Sequence, residues 1–109
     1  MKKIIIISLL LISNASFAIE KEAKKDSSDM LSLASSKNCL ACHAVDKKIV
    51  GPSYKDVKDK YAKDDKAVSK LAEKIIKGGK GVWGEIPMPA NPQVNKEESE
   101  KLAKWVLGK

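Results

Sequence analysis

The chain contains no arginine, a single histidine and only two cysteines among its 109 residues. Arginine is the side chain best suited to bind phosphate groups, so its absence argues against a nucleic-acid-binding protein. A structural zinc site needs four ligands, usually Cys or His, and the chain offers only three such residues. Aromatic residues are also scarce, at 5% of the chain, so a small protein core would have few bulky side chains to bury.

The chain also lacks a hydrophobic run long enough to span a membrane. The apolar stretch at residues 4–12 has nine residues, whereas a membrane-spanning helix needs about twenty. This stretch follows Lys2 and Lys3 and precedes small residues at Ser16 and Ala18, which is the pattern of a secretory signal peptide. We predict a signal peptide at residues 1–18, cleaved after Ala18, and a periplasmic protein without stable membrane insertion. An uncleaved anchor is the alternative.

The positive charge of the chain is carried entirely by lysine. Loss of Lys2 and Lys3 with the signal peptide lowers the formal net charge from +7 to +5. The simplest interpretation of lysines dispersed in this way is a solvated surface. The functional interpretation is an acidic protein partner or an anionic membrane surface.

The segment Cys39-Leu40-Ala41-Cys42-His43 contains all the cysteine and histidine of the chain. Two cysteines separated by two residues and followed by histidine form the attachment pattern of c-type haem. Each thiol forms a thioether with one of two vinyl groups on the same porphyrin edge, and one helical turn reaches both. The histidine then lies under the iron and supplies a nitrogen ligand. We predict one haem c, attached through Cys39 and Cys42 and ligated by His43.

Three other interpretations of these residues stay open on the sequence alone. Zinc would need a second cluster of ligands, which the sequence does not offer. A thioredoxin-like redox pair would need a βαβ unit, and no strand pattern surrounds the cysteines. The third alternative is a plain structural disulfide between Cys39 and Cys42.

Apolar periodicity predicts helices and no strands. Residues 19–28 are polar and lack this periodicity, so we predict a flexible tail there and a domain at residues 29–109. The first helix should begin near Ser27, Ser28 or Asp29, each of which could cap it.

Cap residues also mark the later helices. Three candidate N-caps precede apolar-periodic stretches, at Ser53, at Asp64 or Asp65, and at Asn95. Glu98 lies three residues after Asn95, which is the spacing of a capping box. Gly78-Gly79 should end the third helix.

Residues 78–92 hold four glycines and three prolines, which exclude a regular element. A long ordered loop in a compact domain is usually functional. Pro87 and Pro89 restrict the backbone around Met88, so its thioether is a good candidate for the second axial ligand. Of the other methionines, Met1 leaves with the signal peptide and Met30 has the position of a core residue.

Several segments resemble those of the small bacterial class I cytochromes c, of the short periplasmic monohaem c-551/c-552 type. These segments are Cys39–His43, Gly51-Pro52, Trp83-Gly84, Pro87-Met88-Pro89-Ala90-Asn91 and residues 102–107. The resemblance covers about residues 29–109. It implies an all-α, cytochrome c-like fold of four to five short helices wrapped around one covalently bound haem, with His43 and Met88 as axial ligands.

The resemblance also implies roles for residues around the ligands. The carbonyl of Pro52 would accept the proton of the second nitrogen of His43. The indole of Trp83 would bond a haem propionate, and Asn91 would steady the methionine loop. Trp105 would pack the last helix against the first.

These observations predict a soluble single-electron carrier of a respiratory chain rather than an enzyme. Its partners would be redox proteins with acidic docking surfaces, and the carrier itself would be a monomer. One rival is an enzyme or gas sensor in which Met88 leaves the iron. Another is a secreted binding module without haem, held by a Cys39–Cys42 disulfide.

Overall fold

The computed structural model describes the backbone of residues 15–109 and the side chains of residues 25–109. Four α-helices and one 3₁₀ turn form this part of the chain: α1 (Ala15–Ser36), the 3₁₀ turn (Cys39–Ala41), α2 (Tyr54–Lys60), α3 (Ala67–Lys77) and α4 (Lys96–Val106). Two isolated bridges, His43 with Lys48 and Gly79 with Met88, are the sole β-type pairings among the described residues. The all-α prediction is confirmed. None of the described helices is long and apolar enough to cross a membrane.

Helix α1 begins at Ala15, so the predicted helix start at Ser27, Ser28 or Asp29 is wrong. Residues 15–26 are rich in Ala, Glu and Lys, which have high helix propensity and can continue a helix beyond an apolar stripe. Helical backbone therefore extends beyond the stretch that apolar periodicity marks.

Side chains of α1 are described from residue 25 onward. Those of residues 25–29 are exposed, and Met30 and Ala34 lie in the core. The predicted signal peptide, residues 1–18, lies outside the described residues except for its last four positions. The predicted flexible tail, residues 19–28, and the domain boundary at residue 29 stay predictions.

The short helix α2 and the last helix α4 have the caps that the sequence predicts. The buried hydroxyl of Ser53 accepts a hydrogen bond of 3.0 Å from the Asp56 backbone N–H. Asn95 and Glu98 form a complete capping box, in which each side chain accepts from the backbone N–H of the other. Because both caps need only residues close in sequence, a local pattern is enough to predict them.

Helix α3 is capped one to two residues later than predicted. Its N-cap is Lys66, whereas the carboxylate of Asp64 accepts a 2.9 Å hydrogen bond from the Lys66 backbone N–H in the turn before the helix. An Asp side chain stabilises such a turn as readily as a helix start, so the sequence alone does not separate the two. The helix ends as predicted at Gly78, where φ is 74°.

The core is built around the packing of α3 against α4. One cluster of buried side chains joins these two helices to α2: Val57, Ala67, Leu71, Ala72, Ala103 and Leu107. A second cluster joins α4 to α1: Met30, Ala34, Val94 and Leu102, with Trp105 packed against them. The prediction that Trp105 packs the last helix against the first is confirmed, and Met30 is a core residue.

A polar clasp ties the end of α1 to the start of α4. Lys37 Nζ donates to the Gln93 carbonyl at 2.9 Å, and Gln93 Nε2 donates to the Lys37 carbonyl at 3.0 Å. Lys37 also forms a 3.1 Å ion pair with Glu98, and Gln93 donates to the Asn91 side chain at 3.1 Å. We call Lys37, Gln93 and Glu98 the α1–α4 clasp.

The clasp makes the folded protein less stable at acid pH. The hydrogen bond from the Asn95 backbone, followed by that from Lys37, holds the pKa of Glu98 below its ordinary value of 4.5. The ionised carboxylate therefore favours the folded state. This contribution is fully present above pH 4.5 and is lost as the pH falls through the lowered pKa.

Glu98→Gln should make the protein less stable at pH 7, because the amide keeps the cap geometry but removes the charge that pairs with Lys37. The difference from the parent should shrink as the pH falls below 4.5. Denaturant unfolding followed by circular dichroism at several pH values measures both effects. Glu97→Gln is the matched control, because Glu97 pairs only with Lys101 within α4. A pH-independent difference for Glu98→Gln would contradict the assignment.

Candidate haem-binding site

The Cys39–His43 segment forms one tight turn directly after α1. The turn begins at Asn38, which has the left-handed backbone conformation with φ of 66°. The backbone N–H groups of Cys42 and His43 both donate to the Cys39 carbonyl, at 3.3 and 3.0 Å. Cys39 and Cys42 are half-buried, and their thiols are free. The turn therefore presents two unpaired thiols and an imidazole from one short piece of backbone.

Burial raises the pKa of the Cys39 thiol, which keeps it protonated in this fold. A redox-active Cys-x-x-C pair has the opposite property, a lowered thiol pKa that supplies a nucleophilic thiolate. The described residues also contain no βαβ unit and no convergent group of three metal-binding side chains. The thioredoxin-like and zinc interpretations thus gain no support from the geometry.

The imidazole of His43 is held by the loop that follows it. Its Nδ1 lies 2.8 Å from the Pro52 carbonyl oxygen, and because a carbonyl only accepts, Nδ1 carries the proton. The lone pair is then on Nε2, which is the nitrogen left for a metal. The Gly51 backbone N–H donates to the Cys42 carbonyl at 2.7 Å, which folds the loop back onto the motif.

Gly51 is required by the closeness of the loop to the imidazole. A Cβ atom at this position would lie 2.5 Å from His43 Cε1 and 2.9 Å from Nδ1. Any larger residue would therefore displace the ring from the Pro52 carbonyl. Gly51-Pro52 thus acts as a unit, in which the glycine allows the approach and the proline supplies the acceptor.

Tyr54, the first residue of α2, stacks on the His43 ring. The ring centroids are 5.3 Å apart, and the planes are inclined by 25°. Burial raises the pKa of the Tyr54 phenol, with a smaller contribution from Cys39, so the phenol stays neutral. The histidine therefore contacts an aromatic face as well as a hydrogen-bond acceptor.

Met88 is fixed by pairing with the end of α3. The backbone N–H of Met88 donates to the Gly79 carbonyl at 2.8 Å, and the Gly79 N–H donates back at 3.0 Å. At the neighbouring Gly78, φ is 74° and a Cβ atom would collide with the Met88 carbonyl. The methionine loop thus closes on two glycines in addition to the stiffness that Pro87 and Pro89 give it.

Asn91 anchors the exit of the same loop. Its backbone N–H donates to the Ile76 carbonyl at 3.1 Å, and its side-chain Nδ2 donates to the Ile75 carbonyl at 2.8 Å. Both acceptors belong to the last turn of α3, where carbonyl groups lack helical partners. Asn91 therefore supports the loop through α3 and lies outside the cavity lining.

One cavity of about 510 Å³ brings most of the predicted site residues together. Cys42, His43, Pro52, Trp83 and Met88 all line it. The remainder of its wall is largely aliphatic and includes Val50, Val57, Leu71, Ile75, Val82, Ile86 and Val106. This volume and this apolar lining are typical of sites that bury a cofactor or another small ligand.

The residues at the cavity fit a covalently bound haem. Two free thiols lie in one turn, an imidazole has its outer nitrogen engaged and its Nε2 free, and a thioether lies on a fixed loop. Aliphatic walls suit a flat apolar ring. Trp83 at the edge of the cavity is 41% exposed, and the Lys60 ammonium lies 5.0 Å from its ring centroid.

Comparison with known proteins places the chain in a family. The sequence model of the Cytochrome c family matches residues 32–108. Cytochrome c-552 of Nitrosomonas europaea is 51% identical over 75 residues, which are 69% of this chain and 73% of that protein. Cytochrome c-552 of Hydrogenobacter thermophilus is 44% identical over 98% of this chain and 97% of its own.

A solved structure also matches the chain. The crystal structure of wild-type Nitrosomonas europaea cytochrome c552 matches with a TM-score of 0.70 and 49% identity, over 72% of this chain and 96% of that one. The chain therefore belongs to the cytochrome c family, whose members are electron-transfer proteins with covalently bound haem c and not enzymes. Its resemblance to the small class I cytochromes c is confirmed.

Sequence reasoning missed two parts of the site. The stacking of Tyr54 on His43 has no sequence pattern, although Tyr54 follows Pro52 closely and lies on the inward face of α2. The pairing of Gly79 with Met88 joins two ends of a loop, and the glycine pair indicates only that a helix ends there. Cys39 was expected at the site and adjoins it through the turn, but it is not among the residues that line the cavity.

Gly51→Ala should destabilise the haem-loaded protein by about 1–3 kcal/mol, the usual range for an overpacked site. The added Cβ would force the His43 ring away from the Pro52 carbonyl. Denaturant unfolding and the absorption spectrum measure the effect. Gly79→Ala is the matched control, because its Cβ would meet only the flexible end of the Lys74 side chain. Equal stability of the two variants would contradict the close approach at Gly51.

Proposed function

We propose that this chain is a periplasmic monohaem cytochrome c that carries single electrons in a respiratory chain. Cys39 and Cys42 would hold the haem by thioether bonds, and His43 and Met88 would be the axial ligands. The observation that carries the proposal is that one largely apolar cavity is lined by Cys42, His43 and Met88 together. When bound, haem supplies a one-electron couple between ferrous and ferric iron.

The two ligands have different tasks. The hydrogen bond to the Pro52 carbonyl fixes the tautomer and the orientation of the His43 ring, which leaves the lone pair of Nε2 available to the iron. The Met88 thioether, paired with histidine, favours the ferrous state and raises the potential. Because the Gly79 pairing holds the Met88 backbone, the ligand needs little reorganisation when the charge changes.

Occupation of both axial positions favours a carrier over an enzyme or gas sensor. Chemistry on a haem-bound substrate needs an open position and polar groups beside it. The chain contains no second histidine and no arginine that could serve there. No disulfide joins Cys39 and Cys42 in the described turn, so the disulfide-held module gains no support from the geometry.

Trp83 and Lys74 are the residues we assign to the propionate edge. Both line the cavity, and an indole N–H and an ammonium group are donors suited to carboxylates. Asn91 would keep the methionine loop in place through its bonds to α3. These roles follow the family resemblance and the positions of the side chains.

The N-terminal pattern supports export, and the surface charge supports the choice of partner. Residues 1–18 have the basic start, short apolar core and small residues of a signal peptide. Dispersed lysines would attract redox proteins with acidic docking surfaces. Such encounters bury little area and are brief, so the carrier would act as a monomer.

Met88→Ala should open the iron to carbon monoxide and lower the reduction potential, because the thioether that stabilises ferrous iron is gone. Haem should stay attached, since Cys39 and Cys42 are unchanged. Absorption spectra with and without carbon monoxide, and redox titration, measure these effects. Met30→Ala is the control, because Met30 is buried between α1 and α4. It should lose stability by about 2–5 kcal/mol and keep the parent spectrum.

A Met88→Ala protein that keeps the parent potential and refuses carbon monoxide would overturn the ligand assignment. Haem that extracts from the denatured parent would overturn the thioether bonds. The two outcomes concern different residues and are measured independently.

Electron transfer to an acidic redox protein should slow as ionic strength rises, because salt screens the attraction between lysines and the partner. Stopped-flow mixing from low to high salt measures the rate. Lys80→Gln should reduce the salt dependence, since Lys80 is exposed and lines the cavity. Lys104→Gln on α4, away from the cavity lining, should leave it nearly unchanged. A rate indifferent to salt would remove lysine steering from the proposal.

A further inference from the structure

We propose that Tyr54 is a positioning residue that sets the rotational orientation of the His43 imidazole plane, with Trp105 as its support. The inference rests on the proposed ligation of iron by His43. It goes beyond the assignment of ligands, because it names what decides the direction of the imidazole plane over the haem.

The hydrogen bond to Pro52 cannot fix that plane by itself. A single bond from Nδ1 to a carbonyl oxygen restricts rotation of the ring about Cβ–Cγ, but because the accepting angle is broad, it leaves a range of ring directions open. An aromatic face against the imidazole removes this freedom. Tyr54 supplies such a face, at a centroid distance of 5.3 Å and an angle of 25°, within the range of favourable aromatic pairs.

Tyr54 is itself held on its backbone and its ring. Its N–H donates to the Ala44 carbonyl at 2.9 Å, and the buried cap Ser53 precedes it. The Trp105 ring meets it edge to face, with centroids 5.3 Å apart and planes at 70°. His43, Tyr54 and Trp105 therefore form a continuous aromatic row from the motif to α4.

The row connects the imidazole to the packed core. Trp105 lies on α4 beside the buried cluster that contains Leu102 and Met30. A turn of the His43 ring would require Tyr54 to move, and Tyr54 is blocked by Trp105 on a helix that packs on both α1 and α3. The core thus resists rotation of the ligand plane.

The orientation of the plane has a measurable electronic consequence. The filled π orbital of an imidazole is perpendicular to the ring plane. The direction of the ring therefore decides which iron d orbital it would overlap. Ring direction therefore determines the magnetic anisotropy of the low-spin ferric ion, and axial-ligand geometry is one of the means by which a protein tunes haem.

The test compares Tyr54→Leu with Tyr54→Phe in the haem-loaded protein. Electron paramagnetic resonance of the ferric form and proton NMR of the shifted haem methyl signals report the imidazole orientation. Tyr54→Leu should shift the g values and redistribute the methyl shifts, because no aromatic face remains. Tyr54→Phe should reproduce the parent values, because it keeps the face and loses only the hydroxyl.

Tyr61→Leu is the matched control. Tyr61 is half-buried and packs against the cluster that joins α2, α3 and α4, but it is not a stacking partner of His43. It should lose stability and keep the parent spectra. Trp105→Leu removes the support at the α4 end of the row. It should move the signals in the same direction as Tyr54→Leu. This second variant serves as the test if Tyr54→Leu fails to retain haem.

Parent spectra from Tyr54→Leu, or from Trp105→Leu if it alone holds haem, would overturn the positioning role. Equal shifts from Tyr54→Phe and Tyr54→Leu would also overturn it, because the hydroxyl would then be responsible. If the parent protein itself lacks the ferric signature of a histidine-ligated low-spin haem, the proposed function fails instead. That result is distinct, since it appears before any variant is compared.

Discussion

The hydrogen bond between His43 and the Pro52 carbonyl is the constraint on which the remainder of the site depends. It puts the proton on Nδ1 and leaves Nε2 with its lone pair. For the bond to form, the backbone must return within nine residues and pass very close to the imidazole, which requires a glycine at position 51. The buried cap Ser53 then starts α2 at once, and this places Tyr54 against the ring.

The opposite wall of the cavity is built by different means. There Met88 lies on a loop outside any helix, and the last turn of α3 with the glycines that follow it supports this loop. Carbonyl groups of Ile75 and Ile76 accept from Asn91, and Gly79 pairs with Met88 itself. The His43 side of the cavity is thus formed by the haem motif and the short loop to Pro52. The Met88 side is held by hydrogen bonds to carbonyl groups that have no partner within helix α3. Residues of α3 and α4, the two helices that form the main packing contact of the core, also line the same cavity.

Patterns confined to a few neighbouring residues were readable from the sequence. The haem motif, the capping box of Asn95 and Glu98, and the end of α3 at Gly78 all depend on local chemistry. The start of α1 was not readable, because propensity continued the helix beyond the apolar stripe. Features that join distant segments, such as the Tyr54–Trp105 contact and the clasp at Gln93, have no sequence pattern, since either partner would read the same without the other.

The α1–α4 clasp has a consequence for the order of assembly. Lys37 and Gln93 exchange their two hydrogen bonds across 56 residues, so the clasp closes a loop that contains both walls of the cavity. Closure of so long a segment costs entropy that local helix formation does not, and it becomes favourable only after α1, α3 and α4 have packed. We therefore expect a bulky macrocycle to reach the cysteine turn before the clasp closes. Once the clasp is formed, separation of α1 from α4 means breaking polar bonds that lie outside the cavity.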